Sequence, residues 1–121
     1  MDSSGKLLSP ERTRSEIVLL LDFYGSALTE RQRRTAELYF QEDLSLAEIA
    51  QMTGITRQGV RDGLKKAERT LYKMEDELGI AARFLRQKRL LLQTKTAVQA
   101  LPEGAEKEEI LHLIDEMIRE I

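Results

Sequence analysis

The residues of this sequence that could act on another molecule are basic and polar side chains along one predicted helix. Arginine can form two hydrogen bonds with the edge of a guanine, glutamine can do the same with adenine, and basic side chains neutralise phosphates. Such side chains follow Thr56 at the spacing of a solvent-facing helix surface. The candidate nucleic-acid-binding set, which includes one acid, is Arg57, Gln58, Arg61, Asp62, Lys65, Lys66 and Arg69.

Nothing in the sequence has the spacing of a catalytic or metal site. The chain has no cysteine and a single histidine, His112, so thiolate chemistry is excluded and an imidazole-based metal site lacks its other ligands. No glycine-rich phosphate loop and no serine–histidine–aspartate set occurs. We therefore expect a protein that is not an enzyme, with no catalytic residue, no cofactor and no metal.

Length and composition predict a small folded protein. The 121 residues are 41% hydrophobic and 33% charged, which suits one domain or one small domain with an appended element. The longest apolar run, 17–21, is much shorter than the ~20 residues of a membrane-spanning helix. The polar first fifteen residues do not resemble a secretory signal. We expect a cytoplasmic protein without a membrane partner.

Helix start and stop signals divide the chain into six helices and no strand, which predicts an all-α fold. The pairs Thr29 with Gln32 and Ser45 with Glu48 have the spacing of capping boxes, in which two residues satisfy each other's backbone N–H groups. The predicted helices cover 15–25, 29–43, 45–53, 56–79, 80–100 and 105–121.

The segment 46–65 has the spacing of a helix-turn-helix. Ala50 is small where two helices must approach closely, Gly54 permits the tight turn, and Val60 can pack the second helix onto the first. In such a motif the helix that begins at Thr56 would present its first turns to a major groove. A generic helical hairpin is the alternative interpretation.

Other features favour a solvated helix face with no base-reading role. Asp62 would repel phosphate, and Gly59 and Gly63 provide no side chain, at a cost of up to ~1 kcal/mol each relative to alanine. The whole chain has a net charge of -2, and the segment 28–79 has nine basic and ten acidic residues. A chain with this charge is less suited to strong non-specific DNA binding than a basic one.

The second half of the chain predicts amphipathic helices that need a covering surface. A basic run is followed by acidic residues in 103–109, so the run could bind phosphate, including RNA, or pair with the acidic terminal helix. The terminal apolar stripe of 110–121 must pack onto residues 80–100 or onto a second subunit. The fourth predicted helix carries an apolar stripe that could pack within the chain or form a seam with a second subunit: Val60, Leu64, Ala67, Leu71, Met74 and Leu78. The basic run is Arg83, Arg86, Lys88, Arg89 and Lys95.

Taken in order, several segments resemble one bacterial family, the YlxM-like proteins, which in turn look like region four of sigma-70-type factors. The resemblance extends over roughly 15–100. Its motifs are Leu21-Asp22-Phe23-Tyr24, Leu28-Thr29, Gln41-Glu42-Asp43-Leu44-Ser45-Leu46-Ala47-Glu48-Ile49-Ala50 and Thr56-Arg57-Gln58-Gly59-Val60. The chain departs from the family pattern at Gly59, which is often alanine, at Arg61, often aromatic, and at Gly63, often polar.

This resemblance implies a helix-turn-helix regulator linked to the signal recognition particle pathway. The candidate binding positions carried over are those listed above from Arg57 to Lys65. The first hypothesis is a module that binds DNA or RNA. The second is an adaptor in which 80–121 binds the particle's GTPase or a second copy of the chain. We expect a flexible tail in 1–14, a helix-turn-helix domain in 15–79 and a C-terminal helical extension in 80–121.

Overall fold

The computed structural model describes residues 13–121, and every regular element in that range is helical. The predicted all-α class is therefore confirmed. Described residues fall into two compact units that meet between Ala81 and Ala82. The predicted tail lies outside the described residues except for Thr13 and Arg14, which start the first helix. The helices are α1 (Arg14–Tyr24), α2 (Glu30–Ala36), α3 (Leu46–Thr53), α4 (Arg57–Leu78), α5 (Ile80–Gln99) and α6 (Ala105–Glu120).

Both predicted capping boxes form, which fixes where α2 and α3 begin. The Thr29 N–H donates to Gln32 Oε1 at 3.0 Å, and the Gln32 N–H donates back to Thr29 Oγ1 at 3.1 Å. Ser45 and Glu48 exchange the equivalent bonds at 2.9 and 3.1 Å. The bond from the Ser45 N–H stabilises the carboxylate and lowers the pKa of Glu48.

A π-helical turn, Glu37–Gln41, extends α2, and the sequence periodicity does not predict it. The Glu42 N–H donates to the Glu37 carbonyl five residues earlier, at 3.1 Å, which inserts one extra residue into the turn. The guanidinium of Arg14 donates to the carbonyls at the end of this turn and forms an ion pair with Asp43 at 3.3 Å. The turn buries Leu38 and Phe40 in the core.

The core of the first unit is built around α4, against which α1, α2 and α3 pack. Such burial stabilises by about 25 cal/mol for each Å² of apolar surface removed from water. The largest of the fully buried apolar side chains come from three helices: Ile17 and Leu20 of α1, Ile49 of α3, and Val60 and Leu71 of α4. The predicted stripe on α4 is confirmed from Val60 to Leu71.

The last position of that stripe was predicted wrongly. Leu78 is 54% exposed, whereas Glu75, three residues earlier on α4, is fully buried. Because 18 residues make five turns of an α-helix, Leu78 lies on the same side of α4 as Val60, and periodicity does not account for its exposure. Leu78 is the last residue of α4, and Gly79 turns the chain immediately after it. The extent of the packed core along the helix therefore decides that Glu75 is buried and Leu78 is not.

Buried Glu75 caps the start of α5 together with Tyr24 of α1. The Tyr24 hydroxyl donates to Glu75 Oε1, and the Ala81 N–H donates to the same oxygen at 3.0 Å. The Ile80 N–H donates to the Tyr24 hydroxyl, also at 3.0 Å. These N–H groups belong to the first turn of a helix and have no partner within it. Gly79, with φ of 65°, supplies the left-handed turn that brings them there.

The second unit is a hairpin of α6 and the part of α5 that follows Ala81. Lys95 Nζ lies 2.9 Å from Asp115 Oδ1, and this hydrogen bond lowers the pKa of Asp115. At the connection, the buried Lys107 donates to the Leu101 carbonyl and to Glu103, both at 3.0 Å. Ile114 is buried in the hairpin. None of the helices between residues 13 and 121 combines the length and apolar character of a membrane span.

Replacing Tyr24 with Phe should lower the free energy of unfolding by about 1–3 kcal/mol, because the change removes one partner of a buried carboxyl group and of the Ile80 N–H. Urea denaturation measures the loss. The control is Tyr72→Phe, which deletes a half-buried hydroxyl bonded to Glu16 at 3.1 Å and should cost less. Equal losses for the two variants would show that burial of the capping network does not increase its contribution to the free energy of unfolding.

The contribution of Tyr24 to the free energy of unfolding should decrease at alkaline pH. Burial, and secondarily the hydrogen bond to Glu75, raises the pKa of Tyr24 to about 12 from 10.0. Since the folded-state pKa is the higher one, the contribution is complete below pH 10 and is lost as the pH rises through about 12. The difference in unfolding free energy between the natural chain and Tyr24→Phe should therefore shrink from pH 9 to pH 11. A constant difference over that range would contradict this assignment.

Candidate nucleic-acid interface

The helix-turn-helix consists of α3, a three-residue turn and α4. Gly54 ends α3 with φ of 74° in the left-handed region, and its N–H donates to the Ala50 carbonyl at 2.9 Å. Thr56 then caps α4 by accepting a hydrogen bond from the Gly59 N–H at 3.0 Å. Ile55 lies between these residues and packs against the core. The turn therefore holds the first residues of α4 at the surface.

Every residue of the candidate set lies on the exposed side of α4, within residues 57–69. The opposite side carries Val60 and Leu64, which hold the helix in the core. One flank of the exposed side forms a shallow depression with Leu46 of α3, and that depression is lined by Arg57, Gln58 and Arg61. On the other flank, Asp62 and Lys66 line a depression with residues of α2. The structure thus places the set on one helix surface with two edges.

Charge is distributed unequally along α4. Residues 57–69 contain five basic and two acidic side chains, a net charge of +3, whereas residues 70–78 contain one basic and three acidic side chains, a net charge of -2. Within residues 13–121, none of the five basic side chains forms an ion pair. The N-terminal end of the helix dipole adds to the positive potential. The net charge of residues 28–79 does not show that the positive and negative charges of α4 lie at opposite ends of the helix.

Asp62 has a specific partner on the exposed surface. Gln58 Nε2 donates to Asp62 Oδ1 at 3.0 Å, across one turn of the helix. This bond orients the Gln58 amide and uses one of its two N–H groups. The second N–H and the carbonyl oxygen stay available to the edge of a base. Asp62 therefore positions the Gln58 side chain at the interface, in addition to reducing the local positive charge.

The two glycines of the first half of α4 have different structural roles. A Cβ atom on Gly59 would lie 2.6 Å from Ile55 Cγ2 and 3.1 Å from the hydroxyl that caps the helix. Gly63 has open space, since a Cβ atom there would meet nothing within 4 Å. The close approach of the turn explains glycine at the first position, and nothing in the structure requires it at the second.

Sequence reasoning missed Arg31, which the structure brings to this interface. Arg31 is an exposed residue in the first turn of α2 and lines the same depression as Asp62 and Lys66. The Thr29 cap predicts that α2 begins here, but only the packing of α2 on α4 places Arg31 beside Lys66. No local signal could reveal a neighbour that is distant along the chain.

The basic run on α5 lies in the second unit. Of the two interpretations given above, internal pairing is observed at Lys95 alone, with Asp115. In the described part of the chain the other four basic residues have no ion pair. Lys88 lies over the Phe84 ring at 5.9 Å from its centre. These side chains are Arg83, Arg86, Lys88 and Arg89.

Comparison with known proteins places the chain in a family. Residues 11–114 match the family described as "Putative helix-turn-helix protein, YlxM / p13 like". The chain belongs to this YlxM/p13-like family. A UPF0122 protein of Desulforamulus reducens is 45% identical over 97 residues, covering 76% of this chain and 83% of that protein. One from Acetivibrio thermocellus is 40% identical over 109 residues, covering 88% and 93%. The resemblance found in the sequence is thus confirmed.

Alanine substitutions at the two glycines in the first turns of α4 should have opposite effects on the stability of this YlxM/p13-like protein. Gly63→Ala should raise the free energy of unfolding by about 0.5–1 kcal/mol, because alanine favours helix and meets no neighbour here. Gly59→Ala should lower it, because Ile55 must move away from the new methyl group. Urea denaturation of the two variants measures both effects. A stabilising Gly59→Ala substitution would show that the turn adapts freely.

Proposed function

We propose that this protein is a cytoplasmic helix-turn-helix regulator that binds duplex DNA with the first half of α4. The observation that carries the proposal is the exposed set of five basic side chains on the second helix of the motif, none of which has an acidic partner within residues 13–121. Such a helix enters the major groove with its N-terminal residues against the base edges. Membership in a helix-turn-helix family supports the same reading.

The exposed face of α4 suits a division between base contacts and phosphate contacts. Arg57 and Arg61 lie nearest the start of the helix and would read guanine, while Gln58 would read adenine. Lys65, Lys66 and Arg69 lie further along and would neutralise phosphates. Residues 57–69 extend over about 18 Å of helix, which is enough to cross a major groove about 12 Å wide.

Duplex DNA is favoured over RNA because of groove shape. The major groove of A-form RNA is too deep and narrow for a helix, and recognition of single strands depends on exposed aromatic side chains. The chain contains only 5% aromatic residues and no tryptophan. We further propose a regulatory link to the signal recognition particle pathway, on the basis of the YlxM-like resemblance. Binding, and no catalysis, is the activity proposed.

A protein-interaction adaptor is the second candidate function, and one observation favours it. The C-terminal hairpin exposes large apolar side chains along α6, where Leu113 is 52% and Met117 is 47% exposed. A surface of this kind is typical of a protein contact. The partner would be the GTPase of the signal recognition particle or a second copy of the chain, and the helix-turn-helix would serve as a scaffold.

Fluorescence anisotropy at two salt concentrations tests both candidates. The probes are labelled genomic duplex DNA and signal recognition particle RNA, each with and without the purified GTPase. Salt-sensitive binding of duplex DNA by the protein alone is the expected result. If the protein binds the RNA probe and not the duplex DNA probe, the ligand is RNA and the proposal of DNA binding is wrong. Binding that requires the GTPase would overturn the proposal in favour of the adaptor.

The double variant Arg57→Ala/Arg61→Ala should weaken binding of duplex DNA by about tenfold or more, since each good base contact contributes about 1–3 kcal/mol. The slope of log affinity against log salt should change little, because the phosphate contacts assigned to Lys65, Lys66 and Arg69 remain. The charge-matched control is Lys73→Ala/Arg119→Ala, which alters exposed positions outside the candidate face. Unchanged affinity in the first variant would remove this face from consideration.

A further inference from the structure

The C-terminal hairpin carries an open apolar groove along one side. Leu90 and Leu91 of α5 and Met117 and Ile121 of α6 line it, together with the polar side chains of Gln87 and Glu120. Leu90 is 53% exposed and Ile121 is 41% exposed. Ile110 and Leu113 continue the same side of α6, and both are also exposed. The groove is therefore part of a continuous apolar surface that no residue between 13 and 121 covers.

A basic edge borders the groove on one side and an acidic edge on the other. By helical periodicity, Arg86 and Arg89 lie on the side of α5 that turns away from α6, where Arg89 also lines a second depression with Leu85 and Leu92. Glu116 and Glu120 lie on the edge of α6 that turns away from α5, with Glu109 further along. Among the described residues, His112 pairs with Glu116 at 2.9 Å, and the other four make no ion pair.

A surface with an apolar floor, one basic edge and one acidic edge is complementary to itself. Rotation by 180° about an axis parallel to the helices places α5 of one copy opposite α6 of the other. The basic edge then meets the acidic edge twice, and facing helices run antiparallel, so their dipoles also attract. Rotation about the perpendicular axis would oppose like charges. The charge pattern therefore selects the first arrangement.

We propose that this groove is the interface of a homodimer, in which two hairpins form an antiparallel four-helix bundle. Bundles of this type pack apolar side chains between helices that are joined by short loops. A twofold interface uses the same patch on both copies, which this patch can do. Nucleic acid would be repelled by the acidic edge, and an uncharged apolar partner would leave both edges unpaired. The proposed interface belongs to the second unit, whereas α4 belongs to the first.

The molar mass of the full-length chain in solution tests the proposal. Size-exclusion chromatography with light scattering at micromolar concentration should give twice the chain mass of 13.9 kDa. Arg86→Glu/Arg89→Glu should raise the dimer dissociation constant by about 10- to 100-fold, and Glu116→Arg/Glu120→Arg should do the same, since each variant opposes like charges. Mixing the two variants should restore dimers, because the basic and acidic edges then match again.

Control variants keep the result specific. Lys73→Glu/Lys88→Glu makes the same change in net charge at exposed positions that do not line the groove and should leave the dimer intact. Circular dichroism shows whether each variant remains helical. A monomeric natural chain, or reversed variants that stay dimeric, would overturn the proposal. Because Arg57→Ala/Arg61→Ala should remain dimeric, loss of nucleic-acid binding and loss of dimerisation are distinguishable.

Discussion

The buried carboxyl group of Glu75 is the constraint on which the first unit depends most. An isolated polar group in a core is costly, so its oxygen must be satisfied wherever α4 carries it. Tyr24 of α1 and the backbone of α5 provide the partners, which ties three helices to one point. Gly79 makes this arrangement possible, because only a left-handed residue turns the chain sharply enough to bring the Ala81 N–H back to α4.

The same helix carries the candidate interface at its other end. Most acidic residues of α4 lie in its last turns, where Glu75 is buried in the core. Most of its basic residues lie in the turns that follow Thr56. Charges further apart than the Debye length of about 10 Å are largely screened from one another at 0.1 M salt. A ligand at the first turns of α4 therefore encounters the local excess of positive charge and not the balance of the whole chain. This separation reconciles a chain of net charge -2 with a proposed nucleic-acid interface.

The two units differ in how completely they bury their apolar side chains. The first closes around α4, and its exposed large apolar side chains among the described residues are Phe23, Met52, Leu78 and Ile80. Two helices alone cannot enclose a core, so the hairpin keeps an open apolar side along Leu90 and Met117. On the proposed dimer, one surface would cover the other, and each assembly would carry two helix-turn-helix motifs, as proteins that read paired half-sites do.

Local features of the sequence determined the helices and their ends. Capping pairs such as Thr29 with Gln32, and the left-handed glycine Gly54, act within four residues, so their effect is visible in a single chain and was predicted correctly. The tertiary structure alone decided which side chains share a surface. The π-helical turn, the burial of Glu75 in place of Leu78 and the arrival of Arg31 beside α4 all depend on contacts between residues distant in sequence. Periodicity states that a helix has an apolar side, but the partner helix decides where that side ends.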